Sequence, residues 1–206
     1  YSRDLYAFFE ELGFSSVIEK LGFQKEEGTK PNSGTGSKTV VDISTEEQLK
    51  DLANTLSNTE KIAILVGDED ITLADNGSKL YRINIDGSST GNGLSYDQAI
   101  KGLEQILENE QIQKIVYNGK RLILDADKCG VRVKGLAFDA YIAAYLLDPT
   151  AHRYSLSRLM YSYAGVDTDA ADAADLFKLS EKMGEQLDET QMLEMYETIE
   201  HPLIYV

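Results

Sequence analysis

The sequence predicts an α/β layered domain built on a mixed sheet. Three observations predict it. Lys61 to Val66 (KIAILV) is a continuous apolar run, as expected of a central strand buried on both faces. Two further strand patterns flank Asn76-Gly77, the signature of a hairpin with a primed turn. Beyond the hairpin, helical and strand patterns alternate, and then only helical patterns remain.

The elements follow in order. Thr39 to Ile43 alternates as a short strand. Ser44 with Glu47 reads as a capping box, ahead of a helix whose apolar stripe is Leu49, Leu52, Ala53 and Leu56. After the run at Lys61–Val66, Ile71 to Ala74 and Lys79 to Ile85 form the two arms of the hairpin. Ser95 and Gln98 cap a helix that carries Tyr96, Ala99, Ile100, Leu103, Ile106 and Leu107 on one face. Lys114 to Tyr117 is a short strand, and a helix from about Lys120 to Lys128 is ended by Gly130. Val131 to Leu136 reads as the last strand. Phe138 to Leu147 is a strongly apolar helix closed by Asp148-Pro149, and Ser155 to Tyr163 is a shorter one. Ala173 to about Ile199 reads as one long amphipathic helix.

Ahead of this region, residues 1–23 place Leu5, Phe8, Phe9, Leu12, Val17, Ile18 and Leu21 at helical spacing, which predicts a helical hairpin. Residues 24–38 (QKEEGTKPNSGTGSK) hold no large apolar side chain and read as a flexible linker. The main domain is then residues 39–206.

Composition narrows the function. Of 206 residues, 35 are Asp or Glu and 20 are Lys or Arg, a net charge of −15. Such a chain opposes a polyanion on average, and Lys120-Arg121 is its one adjacent basic pair, too little for a phosphate track. One cysteine and two histidines exclude a disulfide framework and a Cys/His zinc module. No apolar run reaches membrane-spanning length. These features point to a reduced, cytoplasmic setting.

Four segments carry a resemblance. Val133 to Pro149 (VKGLAFDAYIAAYLLDP), Tyr154 to Leu159 (YSLSRL), Tyr196 to Leu203 (YETIEHPL) and Tyr1 to Leu21 occur in the order found in bacterial DNA polymerase I enzymes of family A. The first three resemble parts of the 3′–5′ exonuclease domain, and the last resembles the connector between the 5′ nuclease and that domain. The resemblance implies a ribonuclease H-like, DnaQ-like exonuclease fold, a mixed sheet flanked by helices. It implies the polymerase and 5′ nuclease domains of the same polypeptide as partners, DNA bound through the intact polymerase, no membrane, and a monomeric fragment.

Active members of that family hold two magnesium or manganese ions on converging carboxylates. Their ligands are Asp-x-Glu at the end of the first strand, an Asp four residues after an Asn, and Tyr-x-x-x-Asp on a late helix. In register with these motifs, Val66 stands at the first Asp and Asp68 at the Glu. Asn118 is kept, and Leu122 stands at the second Asp. Asp169 stands at the tyrosine and Ala173 at the last Asp. These positions are vestigial on this reading, and no catalytic, metal or cofactor residue is expected. A slipped register offers Asp68, Asp70 and Asp175 as a rearranged carboxylate set, which would keep a metal-dependent exonuclease. Without the resemblance, Asp68-Glu69-Asp70 is a solvated turn between strands.

Other candidates have structural readings. Asp139 caps the apolar helix, and His152 and Arg153 lie solvated in a loop. His201 marks a helix end before Pro202, and Cys129 fills the core as a small hydrophobe. The expected function is therefore a catalytically inactive exonuclease-like domain that supports a DNA-directed polymerase in replication and repair.

The linker reading has a direct check. Ordering residues 24–38 would cost roughly 1–2 kcal/mol per residue in backbone entropy with no apolar burial to offset it. Limited proteolysis is expected to cut first at Lys25 or Lys30. First cleavage between Ala173 and Ile199 would contradict that order of stability.

Overall fold

The computed structural model describes residues 39–76, 79–85, 93–168 and 170–206. The expected helical connector and linker lie outside the described residues, as does Asp169.

Six strands form one sheet: β1 (Thr39–Ile43), β2 (Lys61–Val66), β3 (Asp70–Asp75), β4 (Lys79–Asn84), β5 (Gln113–Val116) and β6 (Leu136–Asp139). Their order across the sheet is β1-β4-β3-β2-β5-β6. β2, β3 and β4 are an antiparallel meander, with Val66 opposite Ile71 and Ile71 opposite Ile83. β5 runs parallel to β2, β6 parallel to β5, and β1 parallel to β4. Only β3 opposes the rest, so the sheet is mixed. This is the ribonuclease H-like arrangement, with β1 added at one edge.

Both faces are covered. Ile62 and Ile64 of β2 face one apolar cluster, with α1 (Glu46–Leu56), α2 (Tyr96–Gly102), α3 (Glu104–Leu107) and α4 (Gly119–Lys128). Ala63 and Leu65 face the other, with α5 (Ala140–Leu147), α6 (Leu156–Ala164) and α7 (Asp175–Glu189). The period-2 alternation of a strand sends each set to its own layer. Alanines at 63, 74, 140, 143, 144 and 173 line the second layer, which lets α5 and α7 approach the sheet closely. Burial of β2 on both sides is what its unbroken apolar run predicts.

Several boundaries differ from expectation, each for a local reason. The capping box of α1 is Thr45 and Gln48 rather than Ser44 and Glu47. Gln48 N–H donates to Thr45 Oγ1 at 3.3 Å, and Gln48 Oε1 accepts Thr45 N–H at 3.2 Å. Ser44 instead accepts from Asn84 Nδ2 at 3.2 Å, tying β1 to β4. The box at Ser95 and Gln98 forms as expected. The helix that follows breaks at Leu103 into α2 and α3. Gly102 precedes the break, and a Cβ there would lie 2.1 Å from Leu49 Cδ2, so glycine is what lets α1 and α2 meet.

The last strand lies at Leu136–Asp139, not Val131–Leu136. Gly135 holds φ +67, and a Cβ on it would meet Ile112 O at 2.7 Å, so the chain turns there and pairs only afterwards. In consequence α5 starts at Ala140 rather than Phe138. The long C-terminal helix is broken too. α7 ends at Glu189, Gln191 adopts φ 59, and a short α8 (Leu193–Met195) leads into a π-turn at Tyr196–Glu200 and a 3-10 turn at Pro202–Tyr205.

Lys114 in β5 is fully buried, which the sequence does not advertise. Its ammonium donates to Asn109 O at 2.5 Å, and burial lowers its pKa from 10.5 to about 8. Between those values the unfolded chain holds a proton that the folded chain has released, so this group's contribution to stability rises with pH from about 8 upward. Urea melts across that window should show a shallower pH slope for Lys114→Met than for the unmodified chain. Equal slopes would contradict the burial of the ammonium.

Candidate functional site

Parallel strands of open α/β sheets end at a common edge, where loops form clefts. Here β2, β5 and β6 end at that edge with Val66, Val116 and Asp139. A small cavity of about 50 Å³ opens there, lined by Ile64, Val66, Val116, Tyr117, Asn118, Arg121 and Leu122. Two of the positions predicted from the sequence, Val66 and Leu122, therefore share one cleft. Leu122 is 1% exposed and packs in the first apolar cluster. Asn118 is the N-cap of α4, with its Oδ1 accepting Arg121 N–H at 3.2 Å.

The other predicted positions lie elsewhere. Ala173 is fully buried in the second apolar cluster and does not line this cavity. Asp68 sits on the turn after β2 with its side chain 90% exposed. Gly67 shapes that turn: its N–H donates to Asp70 O at 2.8 Å, and a Cβ would meet Asp70 Oδ1 at 2.7 Å. The carboxylates of the alternative set diverge. Asp68 pairs with Arg121, with Oδ1 at 2.7 Å from Nη2, while Asp70 pairs with Arg82 at 3.5 Å. Asp175 begins α7 and accepts Asp172 N–H at 2.9 Å. Among the described residues, no three His, Cys, Asp or Glu side chains gather as a metal site would require.

Arg121, at the mouth of the cleft, enters the sequence reading only as half of the Lys120-Arg121 pair, with no role at a site. Arg121 Nη2 also donates to Gly67 O at 3.2 Å, and its Nε lies 3.8 Å from Asp125 Oδ2. Asp125 in turn accepts from Lys128 Nζ at 2.7 Å and from Tyr96 Oη at 3.0 Å. Burial and the Asp125 carboxylate push the Tyr96 hydroxyl well above its usual range. Asp68 and Arg121 stand 53 residues apart in the chain, so only the fold pairs them.

Asp139 is the other missed contribution. It caps α5 as expected, accepting Tyr141 N–H at 2.8 Å and Ile142 N–H at 3.4 Å on Oδ1. Its second oxygen, Oδ2, accepts Gly119 N–H at 2.7 Å, so one carboxylate also holds the start of α4. Its own N–H donates to Tyr196 Oη at 2.7 Å. It is 1% exposed, and burial raises its pKa from 3.8 to about 6 against the pull of the three amides. Gly119 must be small, because a Cβ there would meet Ile204 Cδ1 at 2.5 Å and Asp139 Oδ2 at 3.0 Å.

Two further expectations meet the structure here. Cys129 packs against the first apolar cluster but is only half-buried, because it closes α4, with Sγ 3.5 Å from Asp97 Oδ1. His152 and Arg153 are exposed, as expected of a loop. Nearby, Tyr141 meets Tyr117 and Tyr154 edge-on at 6.0 Å and 5.3 Å.

The double role of Asp139 can be measured. Asparagine offers a single acceptor oxygen and would turn its amide group toward one of the two helix N-termini. Asp139→Asn should destabilise the domain by about 1–3 kcal/mol in urea unfolding at neutral pH. The raised pKa also has a sign: as pH falls from 7 toward 4, the folded chain takes up this proton before the unfolded one, so this group adds stability on acidification. Asp139→Asn should lose that increment, and an unchanged melt and pH profile would contradict the bridge.

Comparison with known proteins shows what the chain resembles. The family described as DNA polymerase I, ribonuclease H-like domain, matches residues 91–172. DNA polymerase I of Geobacillus stearothermophilus is 28% identical over 80% of this chain and 18% of its own length. DNA polymerase I of Bacillus subtilis is 23% identical over 99% of this chain and 25% of its own length. The chain thus spans a quarter or less of these relatives. Among solved structures, the POL domain of Pol1 from M. smegmatis, in complex with DNA primer-template and dNTP, aligns with a TM-score of 0.62 at 16% identity over 79% of this chain and 30% of that one. Brucella melitensis NrnC aligns with a TM-score of 0.56 at 14% identity over 82% of this chain and 91% of that one. At such identities these two structures speak for the fold. The family match over residues 91–172 and the polymerase relatives support a 3′–5′ exonuclease-like domain of bacterial DNA polymerase I in this chain.

Proposed function

We propose that this domain is a non-catalytic platform for the polymerase domain of a DNA polymerase I acting in replication and repair. One observation carries the reading. The cleft at the strand ends has Val66 and Leu122 on its walls and an arginine at its mouth. Two-metal phosphoryl chemistry requires several hard oxygens converging on each ion. Valine and leucine supply none, and the remaining carboxylate, Asp68, is exposed and already paired with Arg121. The donor set does not fit magnesium or manganese, so no metal-assisted step is derived for this chain. In the intact polypeptide the polymerase and 5′ nuclease domains are its partners, DNA is held through the polymerase, and the setting is cytoplasmic. No helix among the described residues is long and apolar enough to cross a membrane. The rearranged-carboxylate reading has no support in the geometry, because Asp68 and Asp70 turn to different arginines.

Hydrolysis decides the matter. With a 3′-labelled single strand and saturating magnesium or manganese, the chain should release no more label than the buffer blank. Metal-dependent release that is lost in Asp68→Asn or Asp70→Asn would overturn the non-catalytic reading.

A further inference from the structure

The non-catalytic reading accounts for the apolar walls of the cleft but not for the arginine at its mouth. Three oxygens converge on the Arg121 guanidinium: Asp68 Oδ1 at 2.7 Å, Gly67 O at 3.2 Å and Asp125 Oδ2 at 3.8 Å. They come from two elements, the turn after β2 and the middle of α4. Asp68 is exposed, but Asp125 is only 18% exposed and packs against Tyr96. Counted locally, Asp68 and Asp125 contribute two negative charges, and Arg121 and Lys128 two positive ones.

We propose that Arg121 is the resident cation of this cleft. It neutralises the oxygens that remain at the mouth and so closes it to divalent ions by charge, in addition to the apolar floor made by Val66 and Leu122. The proposal rests on the reading of the cleft as non-catalytic and adds a residue to it. Exposed ion pairs contribute little to folding stability, so the role of Arg121 is read in cation affinity rather than in melting temperature. Removing the guanidinium leaves three oxygens facing an opening with one uncompensated negative charge. A small hard cation is what such a set attracts. Lysine keeps the positive charge with a different shape, which separates charge from packing.

The test is a manganese titration of the 206-residue chain, with free ion followed by electron paramagnetic resonance. Arg121→Met should bind manganese about tenfold more tightly than the unmodified chain, the effect of one unit charge a few ångström from a divalent ion. Arg121→Lys should titrate like the unmodified chain. Arg121→Met combined with Asp68→Asn should fall back to that level. A methionine variant no tighter than the unmodified chain, or a lysine variant as tight as methionine, would overturn the proposal. The two readings fail separately. Hydrolysis of a labelled strand by the unmodified chain contradicts the non-catalytic reading whatever the variants do. Equal titrations contradict the resident cation whatever the hydrolysis shows.

Discussion

The buried carboxylate of Asp139 is the point on which the strand-end edge of this domain is assembled. A helix begins with backbone N–H groups that have no partner within the helix, and a buried helix start must find them one. Here two helices begin side by side, α4 at Gly119 and α5 at Ala140. One carboxylate between them accepts from Gly119, Tyr141 and Ile142, and its own amide reaches Tyr196 in the C-terminal segment. Desolvation opposes the charge and the amides favour it, which is why its pKa settles at about 6. The direction of α4 follows from this bridge. Leu122 is thereby aimed into the core and Arg121 across the turn after β2.

Carboxylates crowded around a vacant metal site would repel one another and raise their own desolvation cost. Leu122 packs in the same apolar cluster as Ile64 and Val116, and full burial of a leucine contributes about 1.5–3 kcal/mol. Arg121 then balances what charge is left at the rim. The sheet and its two helical layers follow the ribonuclease H-like plan, and on the proposed reading Val66 and Leu122 serve packing.

Local patterns made much of the fold legible. The run at Lys61–Val66 announced a strand buried on both faces because only such a strand can leave its alternation unbroken. The hairpin and most helix stripes followed from period and turn chemistry. What escaped depended on partners far along the chain. Thr45 and Ser44 are both capping types, and the contact of Ser44 with Asn84 decides between them. The break after α7 rests on Gln191 in a left-handed conformation, which a glutamine does not signal. Lys114 looks like a surface residue until Asn109 O is placed above it. At the site, Val66 and Leu122 could be located from motif spacing, because strand ends and helix starts are local features. The Arg121–Asp68 pair and the reach of Asp139 to Gly119 could not, since each joins residues on different elements.

The central claim is that an exonuclease-like sheet holds a cleft with no affinity of its own for the ions the plan once served. Paramagnetic broadening of backbone amide signals by manganese tests it residue by residue. The account predicts that Gly67, Asn118 and Leu122 broaden no more than amides on the exposed acidic face of α7. Selective broadening of those three amides at low manganese would place an ion in the cleft and contradict it.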